Sequence, residues 1–598
     1  MTRPHPPHDN PPPHVLREYA LVADGERGAL IGPQGDIAWL CAPRWDSGAV
    51  FAALIGGPGH YTVTPTERFV WGGSYEPGTL IWRNRWVTAA GVIECHEALA
   101  FPGDARHAVL LRRIHAVEGD ARVTVRLEPH ADFGAHRSRD VRRERPAVWT
   151  GHTGPLHWRW TGAEGAHPVR DGHRTGLAAE LTVPAGGHHD LVLELSENED
   201  DIRRGEAVAP DRAWHATRDA WARAAEPLPD CLAPDDARHA HTVLRGLTSA
   251  SGGMVAAATT SLPERAEAGR NYDYRYVWIR DQCYAGQAAA AAGAHRLTDD
   301  AVRFVAARLH EDGPRLAPAY TVTGAPVPGQ EKLPLPGYPG GGNRIGNHVN
   351  RQFQFDAFGE ALLLFAAAAR TGRLGPDGRR AADIAVAAVE RRHHEPDAGI
   401  WELDDRAWTH SRLICAAGLR AMAENVRCAQ AASWAGLADT LLARTAATST
   451  HPTGRWQRAP DDPGLDAALL MPAIRGGVSA RDPRTVRTLD AYRAELTHDH
   501  YAYRFRHDER PLAEAEGAFL LCGHLMALAE HQQGNEREAL RWFERNRAAC
   551  GPPGLFTEEY DIGQRQLRGN LPQAFVHALM LETSVRLAAP APTEGETP

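Results

Sequence analysis

The hydrophobic period of this chain changes once. From Tyr19 to about Ser196 apolar residues alternate or come in short β-branched runs; from about Asp235 they recur at three- and four-residue spacing. A chain that puts its strands first and its helices afterwards does not build one interleaved βαβ sheet. It folds as β followed by all-α, a multidomain arrangement. Gly28 to Gly32, then Gln34-Gly35, then Ile37 to Cys41 reads as a hairpin. Strand-like runs follow at Tyr61–Thr64, Leu80–Val87, Val92–His96, Val109–His115, Ala121–Leu127, Ala147–Thr150, Leu156–Trp160 and Leu191–Leu195. Short strands separated by turn signals predict an antiparallel β-sandwich over 16–206. Pro210 to Glu226, with Trp214 and Trp221, reads as a linker helix inside 207–235.

Over 236–588 the expected helices are Ala240–Ser251, Arg280–Ala292, Thr298–His310, Gln352–Arg370, Arg380–Arg391, Arg412–Asn425, Ala429–Thr445, Ala513–Gln532, Glu536–Ala549 and Gln573–Leu587. Several are apolar nearly all round, which means burial on more than one side. Between them run long Gly/Pro-rich loops at Pro326–Asn347, Glu395–Arg406 and His451–Gly464; loops of that length in a compact domain usually carry function. A closed α/α toroid suits this pattern. The ends, 1–15 and 589–598, are expected to be disordered tails. Met1–His14 is Pro- and His-rich without an apolar stretch, so it does not read as a signal peptide. No run is long and apolar enough to span a membrane. The expectation is a soluble, cytoplasmic protein of unspecified oligomeric state.

The net charge is −9 and no basic run stands out, which argues against nucleic acid or an anionic membrane as partner. Lys332 is the single lysine, so neither P-loop nor Schiff-base chemistry is expected. The eight cysteines form no C-x-x-C pair. No cofactor and no metal ion is called for.

Chemistry concentrates in three places. Asn271 to Asp281 packs three tyrosines, a tryptophan, two arginines and two aspartates into one run. Rings beside fixed charges suit a ligand that is both flat and hydroxyl-rich, such as a sugar. Gly399-Ile400-Trp401-Glu402 sets a carboxyl beside an indole, where loss of water raises the affinity for a proton, as a general acid requires. Thr557-Glu558-Glu559-Tyr560 offers a carboxylate to activate water. One acid and one carboxylate on separate loops are what glycoside hydrolysis needs.

These groups, in this order, resemble glycoside hydrolase family fifteen, which holds glucoamylases, glucodextranases and bacterial trehalases. The likeness extends over Arg17–Gly25, Gly35–Ser47, Tyr272–Asp281, Gly399–Glu402, Ser411–Leu413, Glu514–Phe519, Thr557–Asp561 and Gly569–His577. It implies a β-sandwich followed by an (α/α)6 barrel, and inverting, exo-acting hydrolysis of small α-glucosides with release of β-glucose. It implies Glu402 as general acid and Glu558 as general base, with Glu559 as the alternative. Arg280 and Asp281 would grip the terminal glucose, Tyr274 and Trp278 would line the same subsite, Trp401 would form the floor, and Arg504 would add a contact. The chain departs from the family at Gln282-Cys283-Tyr284, Leu403 and Gly342–Asn347, positions expected to face the leaving group. The resemblance ranks isomaltose and maltooligosaccharides first as substrates, with trehalose as the alternative. Two other readings stay open. One is a metal-dependent hydrolase using His498, Asp499, His500 and His507, with phosphate at Gly340–Arg344. The other is a glycan-binding protein without turnover.

Overall fold

The computed structural model describes residues 12–171, 174–264, 271–507, 510–512, 514 and 516–590. Most of the expected tails lie outside these residues. From His14 onward, however, the N-terminal stretch is tied down: the His14 amide donates to the Tyr19 hydroxyl, and Tyr338 donates to the His14 carbonyl.

Antiparallel strands build the first part. Nine run in the spatial order His130–Ala131, His136–Arg145, Val148–Thr153, Leu156–Thr161, His188–Ser196, His107–Glu118, Val92–Leu99, Trp82–Thr88 and Phe69–Tyr75. A second sheet takes His167–Asp171, Arg174–Val183, Ala121–Glu128 and His60–Pro65. Their inward residues, among them Tyr61, Val63, Trp82, Trp86, Leu110, Val125, Trp158, Trp160 and Leu193, share one core. Alternation explains this: in Ala121–Glu128 the valines and leucine are buried while Arg122 and Arg126 face out. The expected hairpin is present, with Gly28–Ile31 paired to Ile37–Cys41 inside a third, four-stranded sheet. The strands that the pattern does not announce include Ala20–Ala23, Ala49–Phe51, His167–Asp171, Arg174–Val183, Phe69–Tyr75 and His136–Arg145. The last corrects the expectation of no basic run: it exposes Arg137, Arg139, Arg142, Arg143 and Arg145. An overall negative charge conceals a local basic edge.

Fourteen α-helices stand among the described residues. After the short α1 (Glu199–Arg203), α2 (Pro210–Ala224) lies back on the sandwich, where Trp221 stacks on Phe101 at 3.9 Å and Arg218 pairs with Glu76 at 2.8 Å. The remaining twelve are α3 (Pro234–Leu247), α4 (Ile279–Ala291), α5 (His295–Asp312), α6 (Asp356–Arg370), α7 (Pro376–Arg392), α8 (Thr409–Asn425), α9 (Ala431–Thr448), α10 (Met471–Ile474), α11 (Pro483–Glu495), α12 (Leu520–Gln532), α13 (Glu536–Arg547) and α14 (Ala574–Arg586). Even-numbered members touch in sequence, α4 with α6, α6 with α8, α8 with α10, α10 with α12 and α12 with α14; α14 returns to α4 and closes the ring. Odd-numbered members lie outside, each against an inner neighbour. The result is an (α/α)6 barrel. Burial follows position: α6 is buried from Asp356 to Ala368, whereas α13 buries one stripe. Helices α6 and α8 approach closely at paired glycines. A Cβ on Gly359 would meet the Cys415 amide at 2.6 Å, and one on Gly418 would meet the Gly359 carbonyl at 2.6 Å. Inner helix α10 is one turn preceded by a 3₁₀ turn at Ala467–Leu470, too short to leave a period in the sequence. Helix α11 also has no counterpart among the expected elements, and α12 begins at Leu520 rather than near Ala513 because Ala518–Phe519 pairs as a strand. No helix among the described residues is long and apolar enough to cross a membrane.

The two parts are joined through the run before α4. Extended chain points successive residues to opposite sides. Asp273 and Arg275 therefore turn away from the barrel mouth. The Arg275 guanidinium takes both Asp273 oxygens, at 2.9 and 2.7 Å, and its remaining nitrogen reaches the Ser47 carbonyl of the sandwich at 2.7 Å. Both residues are at most 1% exposed. Removing one partner of a buried pair leaves the other charge uncompensated. Asp273→Asn should therefore lower the unfolding free energy by about 3–5 kcal/mol, read as a fall in the denaturant midpoint.

Candidate active site

Loops at one end of the barrel enclose a cavity of about 250 Å³. Its walls include Tyr272, Tyr274, Arg280, Trp401, Glu402, Arg504, Phe519, Glu558 and Glu264. Carboxyls thus enter from three separate loops.

Glu402 sits on the Glu395–Arg406 loop with φ of 56°, a left-handed conformation that side chains other than glycine avoid. The surrounding loop enforces it. Asp397, fully buried, accepts bonds from the Gly399 amide and the Ser411 hydroxyl and pairs with Arg412. The Glu402 amide bonds to the Gly399 carbonyl and Leu403 to Ala398. Gly399, with φ of 66°, has no room for a Cβ, which would touch the Trp408 ring at 2.7 Å. The Glu402 side chain, expected beside tryptophan and partly shielded from water, is 29% exposed and opens onto the cavity. Trp278 donates its indole N–H to one Glu402 oxygen at 2.8 Å, and Arg280 stands 3.8 Å from the same oxygen.

Arg280 and Asp281 occupy the first turn of α4, where an acidic residue complements the helix dipole. Asp281 is 2% exposed and takes the Arg280 Nε at 3.0 Å; a second Arg280 nitrogen bonds to the Ile400 carbonyl at 2.7 Å. Burial raises the proton affinity of Asp281, and Arg280 opposes this without reversing it. Trp278 and Asp281 therefore stand behind the wall and act on the cavity through Glu402 and Arg280. They do not line it.

Glu558 and Glu559 separate onto opposite faces. Glu559 begins a strand, Glu559–Asp561, set between Ala518–Phe519 and Gln566–Arg568. Its carboxylate, 0% exposed, accepts the Gly517 amide at 2.7 Å behind the cavity wall. Glu558 points the other way, into the cavity, with the Tyr274 hydroxyl 3.3 and 3.4 Å from its two oxygens. Burial, and then the neighbouring Glu264 carboxylate, push the Glu558 carboxyl well above the usual range; Arg504 opposes them. Burial and Glu516 do the same to Glu559. Arg504 lines the cavity and pairs with Glu516, while its guanidinium lies 5.7 Å from the Trp401 ring centre.

Two further expected placements fail. Gln282, Cys283 and Tyr284 do not face the cavity: all are at most 2% exposed inside the barrel, with Gln282 accepting the Met254 amide. The histidine group does not converge either. His500 faces Glu538, Asp499 pairs with Arg545, and His507 lies against Glu516. The one set of possible metal ligands among the described residues is His188 and Asp190 of the sandwich with Asp211 of α2, where Arg113 already bridges both aspartates. Sequence reasoning missed Glu264: its chain neighbours Arg265 and Glu267 are charges with no aromatic ring among them, the nearest being Tyr272.

Residues 237–585 match the sequence model of glycosyl hydrolases family 15, and residues 10–221 match a trehalase-like N-terminal model. A trehalase of Mycolicibacterium smegmatis is 29% identical over 628 residues, covering 97% of this chain and 92% of that protein. A trehalase of Mycobacterium tuberculosis is also 29% identical, over 97% of this chain and 90% of its own length. Among solved structures, a bacterial glucoamylase complexed with acarbose superposes with a TM-score of 0.73 at 13% identity, covering 98% of this chain and 96% of that one. That likeness is one of fold.

The backbone at Glu402 makes its own prediction. A left-handed residue with a Cβ pays for it, and glycine does not. Glu402→Gly should be more stable than Glu402→Ala by about 1 kcal/mol, the reverse of the order at an ordinary site, as read by paired denaturant melts.

Proposed function

The chain belongs to glycosyl hydrolase family 15, and from that premise we propose that it hydrolyses α,α-trehalose to two glucose molecules with inversion at the attacked carbon. The observation that carries this reading is the pair of carboxyls, Glu402 and Glu558, entering one small cavity from different loops among rings and an arginine. Likeness to trehalases over nearly the full length favours trehalose as the substrate. The family resemblance ranks isomaltose and maltooligosaccharides first; the full-length likeness to trehalases supports placing trehalose ahead of them.

In the proposed reaction Glu402, in its acid form, protonates the oxygen linking the two sugars. Trp278 and Arg280 keep its carboxyl turned toward the cavity. As that bond breaks, positive charge spreads over the ring oxygen and C1 of the glucose that stays bound. Glu558, ionised, takes a proton from a water that attacks C1 from the opposite face, and the new C–O bond has inverted configuration. Arg280 supplies donors to sugar hydroxyls, Tyr274 and Trp401 give ring surface, and Arg504 favours the charged form of Glu558. Both proton transfers run between carboxyls, sugar and water, so the scheme calls for no cofactor or metal. Glu559, tied to the Gly517 amide, is assigned to support rather than to proton transfer.

The expected division of labour keeps catalysis in 236–588. The sandwich, 16–206, and the linker segment, 207–235, brace the loop run that carries Tyr274 and Trp278. The partner is a small α-glucoside, with neither nucleic acid nor membrane assigned.

Glucose release from trehalose, isomaltose, maltose and maltotriose tests the substrate. Trehalose is expected to be cleaved fastest. Glu402→Gln and Glu558→Gln should each lower turnover by about 10²–10⁴-fold, while Glu559→Gln stays within about tenfold of wild type. Faster cleavage of isomaltose or maltose would reinstate the other substrate class. Cleavage of none of the four would overturn the reading.

A further inference from the structure

Glu264 has no place in the reaction as written above, yet it lines the same cavity and is only 4% exposed. Its Oε1 lies 3.4 Å from the Tyr274 hydroxyl, which also stands 3.3 Å from Glu558. One phenol hydroxyl is thus shared by two carboxyls from parts of the chain almost three hundred residues apart. A hydroxyl has one proton to donate, so it cannot satisfy two carboxylates at once. Two like charges brought together in a poorly hydrated site do not both ionise freely; one of them keeps a proton.

We propose that Glu264 is a positioning residue for this reaction: with Glu558 it clamps the Tyr274 hydroxyl, and the two carboxyls hold one proton between them until water and substrate occupy the cavity. This rests on the assignment of Glu558 as the base. Tyr274 is placed to pass its hydrogen bond from one carboxyl to the other without leaving the wall. A water entering beside Glu558 provides a further donor, which lets that carboxyl ionise while Glu264 keeps the hydroxyl in place. The proton stays within the pair or leaves to solvent, and no bond to carbon changes in this step. Glu264 therefore sets the pH at which the base becomes available.

Other groups bear on Glu558 and are left intact by the test. Asp281 at the start of α4 and Glu559, next in the chain, add negative charge; Arg504 adds positive charge. Glu402 acts across Tyr274, Arg280 faces Glu402, and His507 and Glu516 stand behind Arg504. Only a variant at Glu264 removes its own contribution.

The experiment is the pH profile of kcat/KM for trehalose in wild type, Glu264→Gln, Glu264→Ser, Glu264→Asp and Glu558→Gln. The base must be ionised, so activity rises with pH through its titration. Removing a neighbouring negative charge makes it ionise sooner. Glu264→Gln should move the acid limb to lower pH by about 1 unit, with KM changed less than kcat at the wild-type optimum. Glu264→Asp, which keeps the charge, should leave the limb near its wild-type position. Glu264→Ser, which asks for less room, gives the same shift as Gln if Gln does not fold. A limb that stays in place in both neutral variants, or a loss confined to KM, overturns the inference and makes Glu264 a sugar contact or a structural residue. Full activity in Glu558→Gln would instead overturn the base assignment itself, and the inference with it.

Discussion

Arg275 is a cation that the fold has removed from water, and the way it is neutralised determines where the active-site residues stand. Its guanidinium is filled by Asp273 on one side and by the Ser47 carbonyl of the sandwich on another. Asp273 in turn accepts the Gly346 amide and, through its carbonyl, the side chain of Asn347. A single ion pair therefore ties together the sandwich, the run leading into α4 and the long loop that supplies Asn347 and His348 to the cavity. Because that run is extended, fixing Asp273 and Arg275 to the rear presents Tyr272 and Tyr274 to the front. Slippage by one residue would exchange the two sets.

The site is built by the same economy on its other side. Asp397 does for the Glu402 loop what Arg275 does for the tyrosine run. It is a buried charge whose satisfaction by Arg412, Ser411 and the Gly399 amide leaves the backbone few alternatives. The strain at Glu402 is the local result, and it is sustained by bonds that do not involve Glu402's own carboxyl. At the third loop a strand pairing sends Glu559 back toward Gly517 and Glu558 forward. Support and chemistry thus alternate residue by residue in the tyrosine run and at Glu558-Glu559.

This alternation marks how far the sequence could be read. The change of period near Ala207 was visible because it extends over hundreds of residues, and the β-then-α order follows from it. The runs Tyr272–Asp281, Gly399–Glu402 and Thr557–Asp561 were visible because rings and charges cluster there. Which member of each run faces the ligand was not, since composition carries no side. Asp273 and Asp281 are the same residue type in one run, one pairing with Arg275 at the sandwich and the other holding Arg280. Helix α10 is too short to show a period, and the basic strand His136–Arg145 is masked by net charge. Glu264 is the clearest omission. Nothing beside it in the chain marks it, and its meaning arises when folding sets it against Tyr274 and Glu558.

The central claim is that Glu402 and Glu558 work on opposite faces of one sugar, with water delivered by Glu558. Proton NMR of the anomers formed in the first moments of trehalose hydrolysis tests this directly, before mutarotation mixes them. The account predicts β-glucose from the attacked unit and α-glucose from the released unit in equal amounts. Formation of α-glucose alone would mean retention through a covalent intermediate, and would contradict it.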